Sequence, residues 1–305
     1  MQSCRYRFFA LGSDCELQIF ADREDIAHEA AIAAQQEIVR IEMRYSRYRP
    51  ESEVSRLNAI ARSGGSIEVD AETAGLLDYA RACFAKSDGL FDITSGLLRK
   101  AWDFSSGKLP DHATMAALLP RIGFDKILWD APRLTFTIPD MEIDFGGIGK
   151  EYAADRAAEI CRAMGVQAGL VDLGGDIRLI GSRPGDDPWR IGIRHPRRPS
   201  EPIVTVELHA GALATSGDYE RFIEVEGRRY CHILNPRTGF PTQGLASVSV
   251  IADACLVAGS AATIAMLKGR DGPAWLHARG LRHVVVDGQG KVGGTETAAQ
   301  PTPSC

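Results

Sequence analysis

The sequence predicts an α+β fold, and three observations support this class. Segments with strand character come in runs, so they do not alternate strictly with helices as in a parallel α/β sheet. Amphipathic helical segments are interspersed between these runs at irregular intervals. The 305 residues, 45% of them hydrophobic, suffice to bury a sizeable core as one large domain or two smaller ones.

Composition argues against several classes of function. The formal net charge of −5 gives no positive surface of the kind that nucleic-acid-binding proteins use. No apolar stretch approaches the roughly 18 residues needed to cross a membrane, and residues 1–20 lack the apolar core of a signal peptide. The seven cysteines are scattered, without a Cys/His cluster for zinc, which suits reduced thiols. We therefore expect a cytoplasmic protein that neither binds nucleic acid nor spans a membrane.

Hydrophobic periodicity and turn residues place the elements of the first half. In the longest helix, apolar residues recur every three or four positions from Ala27 to Tyr45, and Asp70 is the expected N-cap of the next helix. The expected order is a strand at 15–20, the helix at 27–45, a polar stretch at 44–58, a helix from 70 to about 88, a short helix at 111–120, a hairpin around Ala131-Pro132, a strand at 141–145, and a helix at 151–164.

The second half reads as a run of strands with one long helix and no strong internal repeat. The expected order is two strands at 169–181 around a Gly-Gly bend, strands at 189–195, 203–209, 212–217, 221–234 and 246–253, a helix at 256–268, and a hairpin at 283–292. The polar segment at 293–305 is expected to be a disordered tail.

The most informative stretch is 143–159, where a glycine cluster precedes Lys150 and an amphipathic helix. It fits neither of two common phosphate loops, because the P-loop needs Ser or Thr where Glu151 stands and the dinucleotide motif needs glycine where Tyr152 stands. Glycines nevertheless let a backbone approach a phosphate closely, and a helix N-terminus offers free N–H groups. The alternative is a tight strand-to-helix turn that holds no ligand.

Three further stretches carry weaker signals. His232 follows a strand pattern and precedes an Asn-Pro turn, where a lone histidine is more often incidental than catalytic. The run 215–218, Thr-Ser-Gly-Asp, offers hydrogen bonds to a phosphate or to a turn. Asp92 and Thr94 stand beside glycines in segment 89–98. Each signal is weak alone, and their order along the chain carries the weight.

Taken together, these segments resemble the ApbE family, the FAD:protein FMN transferases. The resemblance runs from about residue 8 to residue 270, and its motifs occur in the family's order. In this chain the motifs are ALGSDCELQIF, YSRYRPESEVSRLN, GLFDITSG, DFGGIGKEYAADRA, DLGGDIRLIG, ATSGDYERF, HILNPRTGFP and VAGSAATIAMLKG.

The resemblance implies an α+β fold of duplicated β-α-β units, with FAD in a groove between two halves that meet near residues 165–170. It implies one transferase domain over residues 1–292. It also implies a reaction, in which a Thr or Ser hydroxyl of a partner redox protein attacks the FMN-side phosphorus of Mg²⁺-bound FAD. AMP then leaves, and FMN stays on the partner as a phosphoester. Family members often work in the periplasm, although no lipid-attachment motif surrounds Cys4 here.

The family's functional residues can be transferred to matching positions. His232 matches the histidine that helps to activate the incoming hydroxyl, a role that suits an imidazole titrating near neutrality; packing support for its loop is the alternative. Tyr48 matches a ring that can stack on the flavin, and Asp92 matches a carboxylate that can accept hydrogen bonds from it. The other expected flavin contacts are Leu11, Leu90, Phe91, Tyr152 and Ile233.

The expected magnesium site departs from the family pattern. The family uses a loop carbonyl, here Gly149, with an Asp and a Thr four residues apart on one helix face. The threonine is Thr263, but Gly259 stands in place of the aspartate. We hypothesise that Glu151, where the family has glycine, supplies the missing carboxylate; the alternative is an acid that interacts with the helix dipole. Loss of the aspartate also leaves open a non-catalytic FAD-binding protein or an FAD pyrophosphatase.

Overall fold

The computed structural model describes residues 1–296 of the chain. The helices are α1 (Glu24–Tyr45), α2 (Glu53–Ala61), α3 (Ala71–Lys86), α4 (His112–Leu118), α5 (Gly149–Ala163), α6 (Cys255–Lys268) and α7 (Gly272–His277). The strands are β1 (Gln2–Ala10), β2 (Ser13–Ala21), β3 (Gly65–Glu68), β4 (Ile127–Asp130), β5 (Arg133–Phe136), β6 (Ala168–Leu173), β7 (Asp176–Gly181), β8 (Trp189–His195), β9 (Arg198–Leu208), β10 (Ala212–Gly217), β11 (Phe222–Val225), β12 (Arg228–Cys231), β13 (Leu245–Ala252), β14 (Arg282–Asp287) and β15 (Val292–Gly294).

One large antiparallel sheet organises the molecule. Its strand order is β1-β2-β6-β7-β10-β13-β14-β15, and every neighbouring pair in it is antiparallel. The connection expected to separate two halves, near residues 165–170, runs from α5 into β6. Strands from before and after this connection are neighbours in the same sheet, since β2 pairs with β6.

Three helices cover one face of the sheet. The predicted apolar face of α1 is buried from Ala27 to Tyr45, and α5 packs between α1 and α6. The α5 surface in this core consists of small residues such as Ala153 and Ala157. Helix α6 is apolar on nearly all sides, as expected of a helix in the interior. Within residues 1–296, no helix is both long and apolar enough to cross a membrane.

The opposite face of the sheet is covered by the β8–β9 hairpin. Alternate residues of the sheet strands, such as Leu179 and Leu213, point into this second core, where they pack with Trp189 and Val206 of the hairpin. This alternation follows from the period of two along each strand. The sheet is therefore buried on both faces, and its loops at one edge remain available for a site.

A separate small core supports the segment that follows β12. It includes Trp102, Met115, Ile223 and Phe240. The Trp102 Nε1–H donates a hydrogen bond to the Gly239 carbonyl at 2.7 Å. The Asn-Pro turn after His232 is thus fixed by its own cluster of apolar side chains.

Most of the predicted elements are confirmed, as is the α+β class. Helices α1, α3, α4, α5 and α6 lie where the periodicity places them, and the strands of the second half do as well. Asp70 is the N-cap of α3, because its side chain accepts a hydrogen bond from the Thr73 N–H at 2.9 Å. The predicted hairpin around Ala131-Pro132 is the β4–β5 pair.

Two expectations were wrong, and some elements were not predicted. Residues 141–145 form no strand, because the Asn58 side chain takes both backbone hydrogen bonds of Ile143, at 2.7 and 3.0 Å. The polar stretch contains α2, and β1 was not predicted. The predicted tail begins too early, since residues 293 and 294 belong to β15. The rest of that prediction, from residue 297 onward, lies outside the described residues.

The cap of α3 gives a stability prediction. Replacing Asp70 with Ala leaves the Thr73 N–H without its acceptor, so the free energy of unfolding should fall by about 1 kcal/mol. Urea denaturation of both proteins measures the difference. Asp70→Asn is the matched control, because asparagine keeps a capping oxygen and loses only the charge near Arg44. Equal losses in the two variants would contradict the capping explanation.

Candidate active site

The glycine-rich loop is held from two sides. The ring of Phe91 lies against Gly147, where an added Cβ atom would approach it to 3.3 Å. Asp144 forms an ion pair with Arg47 at 2.9 Å. Helix α5 begins at Gly149, where an added Cβ atom would meet no atom within 4 Å. The first residue of α5 therefore borders open space, as anion binding at a helix N-terminus requires.

Two turns of the main sheet adjoin this loop. Gly174, between β6 and β7, has a φ of 66°, and a Cβ atom there would lie 2.8 Å from the Ser13 side chain and 3.7 Å from Lys150 Nζ. Leu11, in the turn between β1 and β2, has a φ of 53°, and its N–H donates to the Glu42 carboxylate at 2.9 Å. The turn between β6 and β7 thus lies against both Ser13, beside the Leu11 turn, and Lys150 at the start of α5.

Lys150 forms the central ion pair of the site. Its Nζ lies 2.6 Å from Asp176 Oδ2, and the Asp176 side chain is 6% exposed. The Thr215 N–H donates to the other oxygen of Asp176 at 3.3 Å. Burial opposes the charge of Lys150, but attraction to Asp176 and Glu151 outweighs it and raises the pKa of Lys150 above its ordinary value. Lys150 is therefore a fixed positive charge at the start of α5.

Glu151 is buried between α5 and α6. The residue is 7% exposed, and within residues 1–296 its Oε2 has no hydrogen-bond partner. A Cβ atom added at Gly259 would lie 2.5 Å from both Cγ and Oε1 of Glu151. Burial raises the pKa of the Glu151 carboxyl to about 8; repulsion from Asp176 adds to the shift, and Lys150 opposes it. The carboxyl group therefore occupies the space that a side chain at position 259 would fill.

Hydroxyl groups complete the polar lining beside Glu151. Thr263 lies one turn after Gly259 on α6, and its hydroxyl is 2.8 Å from that of Ser216 on β10. No group of three or more His, Cys, Asp or Glu side chains within residues 1–296 is arranged to hold a metal ion. A cation here would have mixed oxygen ligands with one carboxylate, which fits Mg²⁺ when phosphates supply further oxygens. The unpartnered oxygen of Glu151 is consistent with this fit.

His232 stands directly after β12. Its backbone N–H donates to the Arg221 carbonyl at 2.9 Å, and its Nδ1 lies 3.3 Å from the same oxygen. The side chain keeps access to solvent. Enclosure by neighbouring protein atoms lowers the pKa of the imidazole; the positive charges of Arg221 and Lys150 act in the same direction, and the hydrogen bond to the Arg221 backbone opposes them. The lowered pKa keeps His232 neutral near pH 7, which is the form that accepts a proton.

Three hydrogen bonds from neighbouring protein groups hold the Asp92 carboxylate. One carboxylate oxygen accepts from the Thr94 N–H at 2.8 Å and from the Thr94 hydroxyl at 2.7 Å, and the other accepts from the Phe124 N–H at 3.1 Å. Burial raises the pKa of this carboxyl, although these hydrogen bonds oppose the shift. Asp92 borders a cleft of about 440 Å³ that Pro236 and Arg237 also line. Contact between Asp92 and a flavin stays a prediction.

The other expected flavin contacts differ in accessibility. Tyr48 is 74% exposed, so its ring is free to stack on a planar ligand. The Tyr152 hydroxyl donates to Glu72 at 2.9 Å, which fixes that side chain. Leu90 is half-buried and Ile233 is buried. Direct contact with a flavin stays a prediction for each of them.

Asp176 is not among the residues predicted from the sequence, and Ser216 was considered there only as part of the run 215–218. Both lie within motifs of the resemblance, DLGGDI and ATSGDY. The available signal for Asp176 is an acid placed directly after a Gly-Gly bend, where a strand begins. Its pairing with Lys150 depends on α5 and β7 meeting at one edge of the sheet, which the sequence pattern does not show.

The buried carboxyl of Glu151 gives a prediction of pH dependence. Its pKa in the folded protein, about 8, lies above the ordinary value of 4.5, so between these values the unfolded chain releases a proton that the folded chain keeps. The free energy of unfolding of metal-free protein should therefore fall as pH rises from 5 to 8. Urea titrations in EDTA should show a flatter pH profile for Glu151→Gln, and parallel profiles would contradict this origin.

Comparison with known proteins places these features in a family. A sequence model described as the ApbE family matches residues 11–285. The chain is 31% identical to the FAD:protein FMN transferase of Haemophilus influenzae, covering 76% of this chain and 70% of that protein. The corresponding protein of Treponema pallidum is 31% identical, with 85% and 79% covered. The ApbE protein of Thermotoga maritima superposes with a TM-score of 0.89 at 32% identity, covering 97% and 98% of the two chains. The Pseudomonas stutzeri flavinyl transferase ApbE gives 0.85 at 28% identity, with 97% and 95% covered. The chain therefore belongs to the ApbE family.

Proposed function

We propose that this chain is a FAD:protein FMN transferase, an enzyme that moves FMN from FAD to a hydroxyl group of a partner protein. The observation that carries the proposal is the Lys150–Asp176 ion pair beside the glycine-rich loop, with His232 close enough for the charge of Lys150 to act on its imidazole. Relatives with this family's sequence bear that activity in their names. The acceptor is a Thr or Ser of a redox protein. The buried free thiols, such as Cys161 and Cys231, suit a reducing cytoplasm.

The residues of the site divide the work of this transfer. The N-terminus of α5 and the Lys150 ammonium group bind the FAD pyrophosphate, and Asp176 orients that ammonium group. The Gly149 carbonyl and the Thr263 hydroxyl would hold Mg²⁺. When bound, Mg²⁺ neutralises charge on the phosphate oxygens. Exposed Tyr48 offers a ring for flavin stacking.

His232 handles the proton of the acceptor hydroxyl. The neutral imidazole accepts this proton as the hydroxyl oxygen forms a bond to the FMN-side phosphorus. The bond from that phosphorus to the bridging oxygen breaks, and AMP leaves with the electron pair. The histidine then returns its proton to solvent. This assignment requires the lowered pKa that the surroundings of His232 produce.

One incubation separates the proposed transfer from its two alternatives. The purified chain is mixed with FAD, Mg²⁺ and a flavin-acceptor domain from a redox protein, and AMP and acceptor mass are followed together. We expect AMP in equal amount to an acceptor that has gained one FMN. AMP without labelled acceptor would indicate a pyrophosphatase, and bound FAD without AMP would indicate a flavin-binding protein. The matched control is the acceptor with its Thr or Ser replaced by Ala.

The role of His232 predicts both a rate loss and a pH profile. Replacing His232 with Asn should lower the rate of FMN transfer by about 10² to 10⁴, while FAD affinity stays within a few-fold. Because the pKa of His232 is lowered from 6.5, activity of the unmodified enzyme should decline only below that pH. A decline centred above pH 6.5, or one that persists in His232→Asn, would contradict the proton-accepting role.

A further inference from the structure

We propose that Glu151 and Gly259 are an exchanged pair, in which α5 supplies the metal-binding carboxylate that α6 supplies in the family pattern. The inference rests on the proposed function, because it concerns the cation that accompanies FAD. It assigns a ligand that is specific to this chain. It also explains two departures from the family sequence, the acid after Lys150 and the glycine on α6, as one change.

Steric contact is the first argument. A Cβ atom at Gly259 would lie 2.5 Å from Cγ and Oε1 of Glu151 and 2.8 Å from its Cδ. Real Cβ atoms essentially never approach another heavy atom this closely. A side chain at position 259 would therefore have to displace that of Glu151. The two positions therefore share a single volume, and Glu151 fills it from the opposite helix.

The lack of a hydrogen-bond partner for one oxygen of the Glu151 carboxyl is the second argument. Glu151 is 7% exposed, and its Oε2 accepts no hydrogen bond within residues 1–296. Buried carboxylates are ordinarily paired, hydrogen-bonded or bound to a metal. An acidic side chain can interact favourably with the helix dipole while it is exposed in the first turn, so this interaction does not require burial. The position of Glu151 thus favours a ligand over a dipole contact.

The surrounding charges are the third argument. Lys150 is engaged by Asp176 at 2.6 Å. Asp155, one turn further along α5, uses its two oxygens to accept from the N–H groups of Cys255 and Leu256, at 2.8 and 2.9 Å. Neither neighbouring acid is free to take the place of Glu151 as a ligand. Glu151 is the carboxylate near the start of α5 that remains available to a cation.

Neighbouring oxygens complete a coordination set. Thr263 lies on the same face of α6 as Gly259, one turn later. Gly149 precedes Glu151 by two residues at the open end of α5. Carboxylate, hydroxyl and carbonyl oxygens are hard ligands, and together with pyrophosphate oxygens they suit Mg²⁺ or Mn²⁺. The exchange therefore preserves the chemistry of the site while it changes the helix that provides the charge.

An exchange experiment tests this inference on the full chain. Mn²⁺ is titrated into FAD-loaded protein without an acceptor, and free Mn²⁺ is measured by electron paramagnetic resonance. Glu151→Gln and Glu151→Gly should weaken Mn²⁺ binding by about tenfold or more. The double variant Glu151→Gly with Gly259→Asp should return to within about threefold of the original affinity. The exposed α5 acid Glu159, replaced by Gln, is the matched control and should leave affinity unchanged.

The outcomes are distinguishable from failure of the proposed function. Unchanged Mn²⁺ affinity in Glu151→Gln, or no recovery in the double variant, would overturn the exchange even if FMN is still transferred. Recovery of Mn²⁺ binding without FMN transfer by the unmodified chain would uphold the exchange and overturn the transferase assignment. Melting temperatures identify a variant that does not fold, in which case Glu151→Gln, which keeps the side-chain volume, decides.

Discussion

The packing of α5 between α1 and α6 is the constraint on which the candidate site depends. Ala153, Ala154, Ala157 and Ala158 of α5 are fully buried, so its neighbours can approach closely. This close packing fixes the first turn of the helix at the edge of the main sheet. One rigid helix thereby sets the positions of an ammonium group, a buried carboxyl group and an open N-terminus.

An ammonium group and a buried carboxyl group lie together at the start of α5. Lys150 and the α5 N-terminus favour a phosphate, whereas the unpartnered Oε2 of Glu151 would favour a metal ion. Lys150 forms its direct ion pair with Asp176, and Glu151 attracts it as well. A metal-bound pyrophosphate, as proposed above, would suit both groups at once, because it carries both signs at adjacent atoms. The proposed role of His232 requires the neutral imidazole.

The sequence predicted the parts of this molecule that depend on local pattern. The apolar stripe of α1, the Asp70 cap and the order of the glycine-rich motifs all depend on residues that are close in sequence. These patterns were sufficient to identify the resemblance to the ApbE family. Strand β1 was not predicted, because it is an edge strand in which charged residues such as Arg5 and Arg7 interrupt the apolar pattern. The backbone around Ile143 is satisfied by the distant Asn58 side chain, which no local pattern reveals.

The candidate site also combines residues that local sequence predicts with residues that only the fold brings together. Lys150, His232 and Thr263 could be found from their motifs, whereas the role of Asp176 required the meeting of α5 with β7. The contact of Glu151 with Gly259 depends on the separation of two helices, and sequence gives no distance between them. The sequence therefore showed that the family aspartate is absent at position 259, but not what takes its place. The structure shows that the Glu151 side chain occupies the space beside Gly259.

A single continuous sheet underlies both halves of the chain, and this has a consequence for how a dinucleotide enters. Enzymes with two separate domains can open about a flexible connection and close over a ligand. Here β2 is bonded to β6 along six residue pairs, so opening the halves would break the ladder that holds the core together. In the proposed complex, FAD would therefore enter from solvent beside the start of α5. Only the turns between strands could then adjust to the size of the ligand, because hydrogen bonds hold the strands of the sheet in place.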